Sequence, residues 1–424
     1  MEADTQRVSA ASAGLTSLAL RLAKQLAANN KSSDRGNGGN LVFSPLSIYA
    51  ALALVAAGAR GAALDELLAL LGAASRDDLA ELVRGALGDG SGSDGPLIAS
   101  ACGVWHDDEM VLKPAFRATA VECFKAEVRA VDFQTKAEEA RQEINSWVSE
   151  ATKGLITDVL SPGSVDAETG LMLVNAIYFK GKWVRPFDER CTEVEDFYLL
   201  DGTAVQTPLM RGRGSYLVAV HGGFKVLKLP YQAPLAFPRF GGGMRMAKVA
   251  RRGGVGAMYS LCVFLPDARD GLWSLVDELA ASGPAFLHDH LPWSKVCVHK
   301  LRLPRFKMSF HSDLTDALRE MGLEATLDPR DGDTDLTDMA ERKGYAGESP
   351  KIDKVCHKAV IELNEEGTEA AAVTYVGVLP PSCAPPGYRP ETVDFVADHP
   401  FAFFVMEEVS GAVVFAGCVL DPSQ

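Results

Sequence analysis

A run of nine residues near the middle of the chain constrains its fold most. Residues 171–179 read LMLVNAIYF, which is apolar except for Asn175 and contains several β-branched and aromatic side chains. Such a run is typical of a strand covered on both faces, because a strand with one face in water alternates polar and apolar residues. The sequence therefore predicts a buried strand here.

Helical patterns precede this run and strand patterns follow it. Residues 10–28 predict an amphipathic helix and residues 46–59 a buried one, and helical patterns dominate to about residue 150. Later strands are predicted at residues 226–229, 261–265 and 355–363, with a C-terminal hairpin at 401–406 and 412–419. Helices early and strands late predict an α+β fold with mixed and antiparallel sheets.

Length and composition favour one large domain. The chain has 424 residues, of which 47% are hydrophobic, and apolar segments continue at similar density from Leu15 to Val419. Nothing between them is typical of a linker between independent cores. We therefore expect residues 1–424 to form a single domain. We also expect the protein to be a monomer.

The charge and the N-terminus limit the partners and the location. A net charge of −14 argues against nucleic acid or an anionic membrane, since phosphate binding needs a positive surface. The chain begins MEAD, which is acidic where a secretory signal is basic. Residues 41–59 are uncharged, but Ser44 and Pro45 interrupt them, and the remainder is too short to span a membrane. The sequence predicts a soluble, cytoplasmic protein.

Motifs that carry enzyme chemistry are absent or incomplete. The chain has no G-x-S-x-G nucleophile elbow, and the glycines at 254–256 lack the third glycine of a nucleotide cradle. Residues 331–342 begin like a calcium loop, but Leu336 and Arg342 stand where that loop needs glycine and glutamate. We therefore expect no enzymatic activity, no cofactor and no metal site.

Eight cysteines are scattered along the chain without a CxxC pair. In a chain of this size without a secretory signal, such cysteines are predicted to be reduced and mostly buried. Cys383 is the expected exception, because it lies among prolines and small residues and should be exposed to solvent.

Residues 364–373 read NEEGTEAAAV and combine two opposite tendencies. Glu365, Glu366 and the alanine block are good helix formers, so these ten residues alone favour a surface helix. From Gly367 to Ala372, however, Glu369 is the only large side chain. Such a segment can thread between two existing strands.

Six short motifs decide between a surface helix and a segment that inserts between strands. They are residues 43–48 (FSPLSI), 175–183 (NAIYFKGKW), 303–307 (LPRFK), 357–360 (HKAV), 398–401 (DHPF) and 415–417 (FAG). In this order and spacing they resemble the serpin signatures over roughly residues 10–422, and the polar, glycine-rich interruptions look like the plant branch. The resemblance implies a single serpin domain with about nine helices, three β-sheets and an exposed reactive-centre loop at about residues 364–389.

The resemblance implies a suicide inhibitor of serine or cysteine endopeptidases. It also leaves open that the protein is released from the cell. A protease begins to cleave the exposed loop, and the hinge of that loop then inserts into the large sheet as a new central strand. The residues that match the hinge are Glu365, Glu366, Gly367, Thr368, Glu369, Ala370, Ala371 and Ala372. Gly367 permits the turn that starts insertion.

Four further residues match positions that control insertion in the family. Ser47, Asn175 and His357 match the shutter, a gate beneath the sheet, and Trp183 matches the breach, the point of insertion. A hydrogen-bonded cluster at the shutter would hold neighbouring strands together. Without the resemblance, His357 reads as a satisfied core histidine and Trp183 as a core aromatic.

The expected cleavage site is unusual. The resemblance implies a reactive bond fourteen residues after Gly367, at Pro381–Ser382. No Lys or Arg occurs at residues 370–388, so trypsin-like proteases are poor candidates. Few endopeptidases accept proline at the bond they cut, and Val378–Leu379 and Cys383–Ala384 are the alternative bonds.

Two functions therefore remain open. The first is an inhibitor with an uncommon target protease, and the small-residue hinge favours it. The second is a non-inhibitory binding protein on a serpin scaffold, and the two prolines at the expected bond favour that one.

Overall fold

The computed structural model describes residues 2–31, 39–86, 96–233, 258–328, 335–343, 350–368 and 392–424. Within these ranges the chain forms nine α-helices and three β-sheets. The α+β class and the expected numbers of helices and sheets are confirmed. None of the described helices is long and apolar enough to cross a membrane.

The helices supply much of the core. They are α1 (Glu2–Lys31), α2 (Pro45–Gly58), α3 (Gly61–Leu71), α4 (Arg76–Ala86), α5 (Pro114–Phe124), α6 (Phe133–Ala151), α7 (Leu272–Asp289), α8 (Thr315–Glu320) and α9 (Glu324–Leu327). The predicted buried helix at 46–59 is α2, which has buried residues on all sides. Ser44 caps its N-terminus, where the Ser44 side chain accepts a hydrogen bond from the Ser47 N–H.

The strands follow in chain order. They are β1 (Leu41–Phe43), β2 (Leu97–Asp107), β3 (Met110–Leu112), β4 (Glu127–Val131), β5 (Leu171–Lys182), β6 (Glu193–Tyr198), β7 (Ala204–Val220), β8 (Phe224–Pro230), β9 (Tyr259–Pro266), β10 (Lys295–Pro304), β11 (Phe306–Asp313), β12 (Ala340–Arg342), β13 (Lys354–Leu363), β14 (Gly367–Thr368), β15 (Thr392–Val396), β16 (Phe401–Glu407) and β17 (Val413–Val419). Each strand predicted from the sequence lies within or overlaps one of these.

The three sheets differ in size. One has nine strands in the order β1-β17-β16-β9-β8-β7-β10-β15, with β6 attached to β7. A second has six strands in the order β11-β13-β5-β2-β4, with β14 attached to β5. The third is the pair β12-β3.

The six-stranded sheet contains a parallel pair at its centre, formed by β5 and β13. The two strands, here called the central pair, are in register from Met172 opposite Lys354 to Phe179 opposite Ile361. Nearly every residue of β5 is buried, as expected of a strand covered on both faces. A core that includes α2 fills one side of the sheet, and α6 with the segment after it covers the other.

Helices dominate to about residue 150, as predicted, but four strands that the sequence did not predict, β1 to β4, also lie in this region. The strand β2 is the clearest case, because residues 99–103 read ASACG and carry few β-branched or aromatic side chains. Its position is fixed by pairing with β5 on one side and β4 on the other. Tertiary context therefore overrides a weak local pattern.

Candidate functional site

Four residues, here called the central cluster, join the central pair to the start of α2. Asn175 on β5 lies opposite His357 on β13, and His357 Nδ1 donates a hydrogen bond to Asn175 Oδ1. Ser47 Oγ donates to the same oxygen at 3.0 Å. The backbone N–H of Ser44 donates to His357 Nε2 at 3.1 Å. The structure thus brings the three residues predicted for the shutter together, and Ser44 joins them.

These hydrogen bonds determine the protonation state of His357. Since Nε2 accepts from a backbone N–H, the ring proton lies on Nδ1 and is donated to Asn175. Burial, with a smaller contribution from His311, lowers the pKa of His357 to about 3. A second proton on Nε2 would point at the Ser44 N–H. The hydrogen bonds of the central cluster therefore require a neutral His357 ring.

Asn175 accepts the hydrogen bonds of both His357 and Ser47 through one oxygen, Oδ1. Its Nδ2 has no hydrogen-bond partner among the described residues, although the side chain is fully buried. Exchanging the amide's oxygen and nitrogen would move the ring proton of His357 to Nε2, against the Ser44 N–H. The arrangement with Oδ1 toward His357 is therefore the consistent one.

The strand β13 leads into the hinge through a tight turn that Asn364 closes. Its Oδ1 accepts hydrogen bonds from the N–H groups of Glu366 and Gly367, both at 3.1 Å. The chain then reverses, and β14 pairs antiparallel with the end of β5. Residues 364–368 thus form a turn and a short strand, so the surface helix favoured by their local sequence is wrong for them.

Trp183 lies at this turn, as predicted for the breach. Its side chain is buried, and its Nε1 donates to the Asn364 carbonyl at 3.0 Å. Its backbone N–H donates to the Glu366 carbonyl at 2.8 Å. The indole stacks on the Tyr231 ring with 4.4 Å between ring centroids. Two of its hydrogen bonds therefore go directly to the hinge turn.

Glu365 fastens the same turn to three segments that lie outside the strands. Its residue is only 4% exposed, and its Oε1 accepts a hydrogen bond from Thr192 Oγ1 at 2.6 Å. Its Oε2 lies 3.9 Å from the Arg305 guanidinium, and its carbonyl accepts from the Phe187 N–H at 2.7 Å. A buried carboxylate needs such partners to offset its lost hydration.

Glycine is the one residue type that fits at position 367, where β14 begins. Its φ of +153° lies outside the range that other residues adopt readily. A Cβ here would lie 2.0 Å from the Gly181 carbonyl oxygen. The hinge can therefore lie flat against β5 only with glycine at this position.

The remaining predicted site residues lie outside the described residues. These are Glu369 and the three alanines of the hinge, the reactive bond Pro381–Ser382, and Cys383. Their assignments stay predictions. Within the described ranges, no group of three or more His, Cys, Asp or Glu side chains could hold a metal ion.

Sequence reasoning missed several residues of the site, and two of them form a contrast. The first is Ser44, although a serine directly before a proline and an apolar run is a helix N-cap signal that could have found it. The second is Tyr231, which lies outside all six motifs and has no local signal.

The seven described cysteines are free thiols, but they are less buried than the sequence predicted. Cys262, Cys356 and Cys418 are buried, and burial raises the pKa of each thiol to about 12. Cys191 is exposed, which the sequence did not predict, and the expected exposure of Cys383 stays a prediction. Cys191 directly precedes Thr192, the partner of Glu365.

Comparisons with known proteins agree with this architecture. A family model described as serpin (serine protease inhibitor) matches residues 13–422. Serpin-Z2A from Oryza sativa subsp. japonica is 50% identical over 423 residues, covering 97% of each chain. Serpin-Z2B from Triticum aestivum is 40% identical over 411 residues, covering 96% of this chain and 95% of that protein.

A solved structure shows the same relationship. The structure of Arabidopsis AtSerpin1 in its native stressed conformation matches with a TM-score of 0.82 and 37% identity, covering 97% of this chain and 98% of that one. The chain belongs to the serpin family, and its similarity to plant serpins confirms the resemblance carried by the six motifs.

Proposed function

We propose that the protein inhibits endopeptidases by covalent trapping. A protease cleaves the reactive-centre loop, and the hinge inserts between β5 and β13 before the acyl bond is hydrolysed. The observation that carries this proposal is the position of β14, which continues from β13 and already pairs with the end of β5. A chain that continues in the direction of β14 runs antiparallel to both strands of the central pair.

Insertion of this kind has a physical driving force. The central pair is parallel, and parallel ladders are slightly less stable per residue than antiparallel ones. An inserted strand replaces that single ladder with two antiparallel ladders. Insertion requires the central cluster to open transiently, because its Asn175–His357 hydrogen bond crosses the gap that the new strand must enter.

The target is proposed from the loop sequence. Pro381–Ser382 is the expected bond, and the absence of Lys and Arg at residues 370–388 argues against trypsin-like proteases. Val378–Leu379 would suit an elastase-like pocket but would shorten the inserted strand, and Cys383–Ala384 is a third choice. We further propose that the protein acts as a monomeric inhibitor rather than as an enzyme.

The proposal is tested with a panel of serine and cysteine endopeptidases of different specificity. We expect at least one protease to form an SDS-stable covalent complex, and mass spectrometry of the released C-terminal peptide then identifies the cleaved bond. The matched control is Thr368→Arg, which should be cleaved at the same bond without forming the complex. Cleavage of the native protein by every protease without a complex would contradict trapping.

A second function has one observation in its favour. The loop carries Pro380 and Pro381 at the expected bond, where few endopeptidases cut. A non-inhibitory binding protein on the same scaffold would resist cleavage there or behave as a plain substrate. The panel distinguishes the two, because trapping requires insertion to outpace hydrolysis.

A further inference from the structure

We propose that Tyr231 is a positioning residue that holds the hinge on β5 before the loop is cleaved. The inference rests on the proposed function only where it concerns the efficiency of trapping. The hydroxyl groups of Tyr231 and Thr368 share a hydrogen bond of 3.0 Å, and both residues are buried. We call this hydrogen bond the latch.

The latch is built so that Tyr231 has little freedom to move. Its ring stacks on Trp183 on one side and meets Phe179 edge-on, with 5.0 Å between ring centroids. Its backbone N–H donates to the Tyr259 carbonyl at 2.9 Å. A ring fixed from several directions loses little further entropy when its hydroxyl binds the hinge.

Two glycines make room for this contact. A Cβ at Gly181 would lie 2.7 Å from Cδ1 of the Tyr231 ring, and a Cβ at Gly367 would lie 2.0 Å from the Gly181 carbonyl oxygen. Gly181 is part of the NAIYFKGKW motif, and Thr368 is its partner across the β5–β14 ladder. This glycine therefore lets the ring and the hinge approach the same point of β5.

Burial makes the latch specific for a hydroxyl at position 368. Thr368 is fully buried, and Tyr231 is 3% exposed, so water does not compete freely for either hydroxyl. Removing one hydroxyl leaves the other without this partner. Thr368 is therefore held by its side chain as well as by the pairing of β14 with β5.

The consequence concerns how insertion begins. With the latch closed, the first two residues of the new strand are already in place when the protease cuts. With the latch broken, β14 still pairs with β5 but separates from it more often, and hydrolysis of the acyl bond gains time. Tyr231 thereby favours trapping over release without touching the bond that is cleaved.

The test uses the full-length protein and amide hydrogen exchange of the hinge. The exchange reports on the Gly367 N–H, bonded to Asn364, and on the Trp183 N–H, bonded to the Glu366 carbonyl. We expect Tyr231→Phe to speed exchange at both amides about five-fold, the effect of one buried neutral hydrogen bond. The matched control is Tyr259→Phe, whose ring also contacts Phe179 but whose hydroxyl does not bond the described hinge residues.

A double-mutant cycle separates the latch from a general loss of stability. Thr368→Val removes the same hydrogen bond from the other side, and Thr368→Ser, which keeps a hydroxyl, should exchange more slowly than Thr368→Val. The double variant Tyr231→Phe/Thr368→Val should exchange no faster than the faster single variant. Equal exchange in Tyr231→Phe and Tyr259→Phe would overturn the latch, and so would full additivity of the two substitutions.

A second readout connects the latch to trapping. With a protease that the protein traps, Tyr231→Phe should raise the fraction of inhibitor that is cleaved without forming a complex, while the rate of first attack stays the same. An unchanged fraction would overturn the role in trapping. A protein that traps no protease would contradict the proposed function instead, and the exchange measurements would decide the latch independently.

Discussion

His357 should make the stability of the protein fall as the pH is lowered. The ring is neutral and buried in the central cluster, and its pKa is lowered to about 3 from an ordinary value of 6.5. Below about pH 6.5, His357 therefore binds a proton in the unfolded chain but not in the folded chain. Stability is fully present above that pH and is lost as the pH falls toward the folded pKa.

The magnitude follows from the difference between the two pKa values. Each pH unit between them costs about 1.4 kcal/mol, so lowering the pH from 7 to 5 should remove about 2 kcal/mol through this residue alone. The pKa values of His106, His288 and His311 are also lowered by burial and add to the total slope. The contribution of His357 is therefore obtained as a difference between variants.

The assay is urea unfolding of the native protein, His357→Gln and Ser47→Ala at pH 5, 6 and 7. His357→Gln should lose about 2 kcal/mol less than the native protein between pH 7 and pH 5, because glutamine does not titrate. Ser47→Ala is the control, since it breaks the same cluster but leaves the buried ring in place, and it should keep the native slope. Equal slopes in His357→Gln and the native protein would refute the reasoning.

Three further predictions concern the hinge and the thiols. Thr368→Arg should turn trapping into plain cleavage, because the buried charge costs several kcal/mol and slows insertion; an unchanged stoichiometry of trapping would show that the hinge does not insert. Gly367→Ala should weaken the pairing of β14 with β5 by about 1–3 kcal/mol, from its φ of +153° and its contact with β5, and unaltered hydrogen exchange at residues 364–368 would count against it. Alkylation of the native protein should modify Cys191 before the buried Cys262, and Cys383 is expected to react early as well; peptide mapping that shows Cys262 modified before Cys191 would contradict the burial of these two residues.

The elements with strong patterns could be predicted from the sequence. The buried helix α2 and the strand β5 are continuous apolar runs, and the terminal hairpin of β16 and β17 is two such runs around a turn with Gly411 at a φ of +72°. The strand β2 could not be predicted in the same way. Its small residues become a strand only because β5 and β4 supply hydrogen bonds on both sides.

The site residues also divide into those that the sequence could predict and those that it could not. The motifs led to Ser47, Asn175, His357 and Trp183, because each lies in a segment with a distinctive sequence. Tyr231 could not be found this way, since its role depends on stacking against Trp183 from a strand end 48 residues further along the chain. Contacts of that kind depend on the fold and have no local signature.

One measurement tests most directly whether a strand enters between β5 and β13. Cys356 on β13 lies opposite Val174 on β5, so Val174→Cys places two thiols across the central pair. Neighbouring strands lie about 4.8 Å apart, which is within the range of Cα separations that a disulfide spans. Oxidation should lock the pair, and reduction should release it.

The readout is the increase in unfolding temperature when the loop of this variant is cleaved by a non-specific protease. The reduced protein should gain thermal stability on cleavage, because the freed hinge becomes a strand with ladders on both sides. The oxidised protein should gain none. An equal gain in both forms would contradict insertion between β5 and β13.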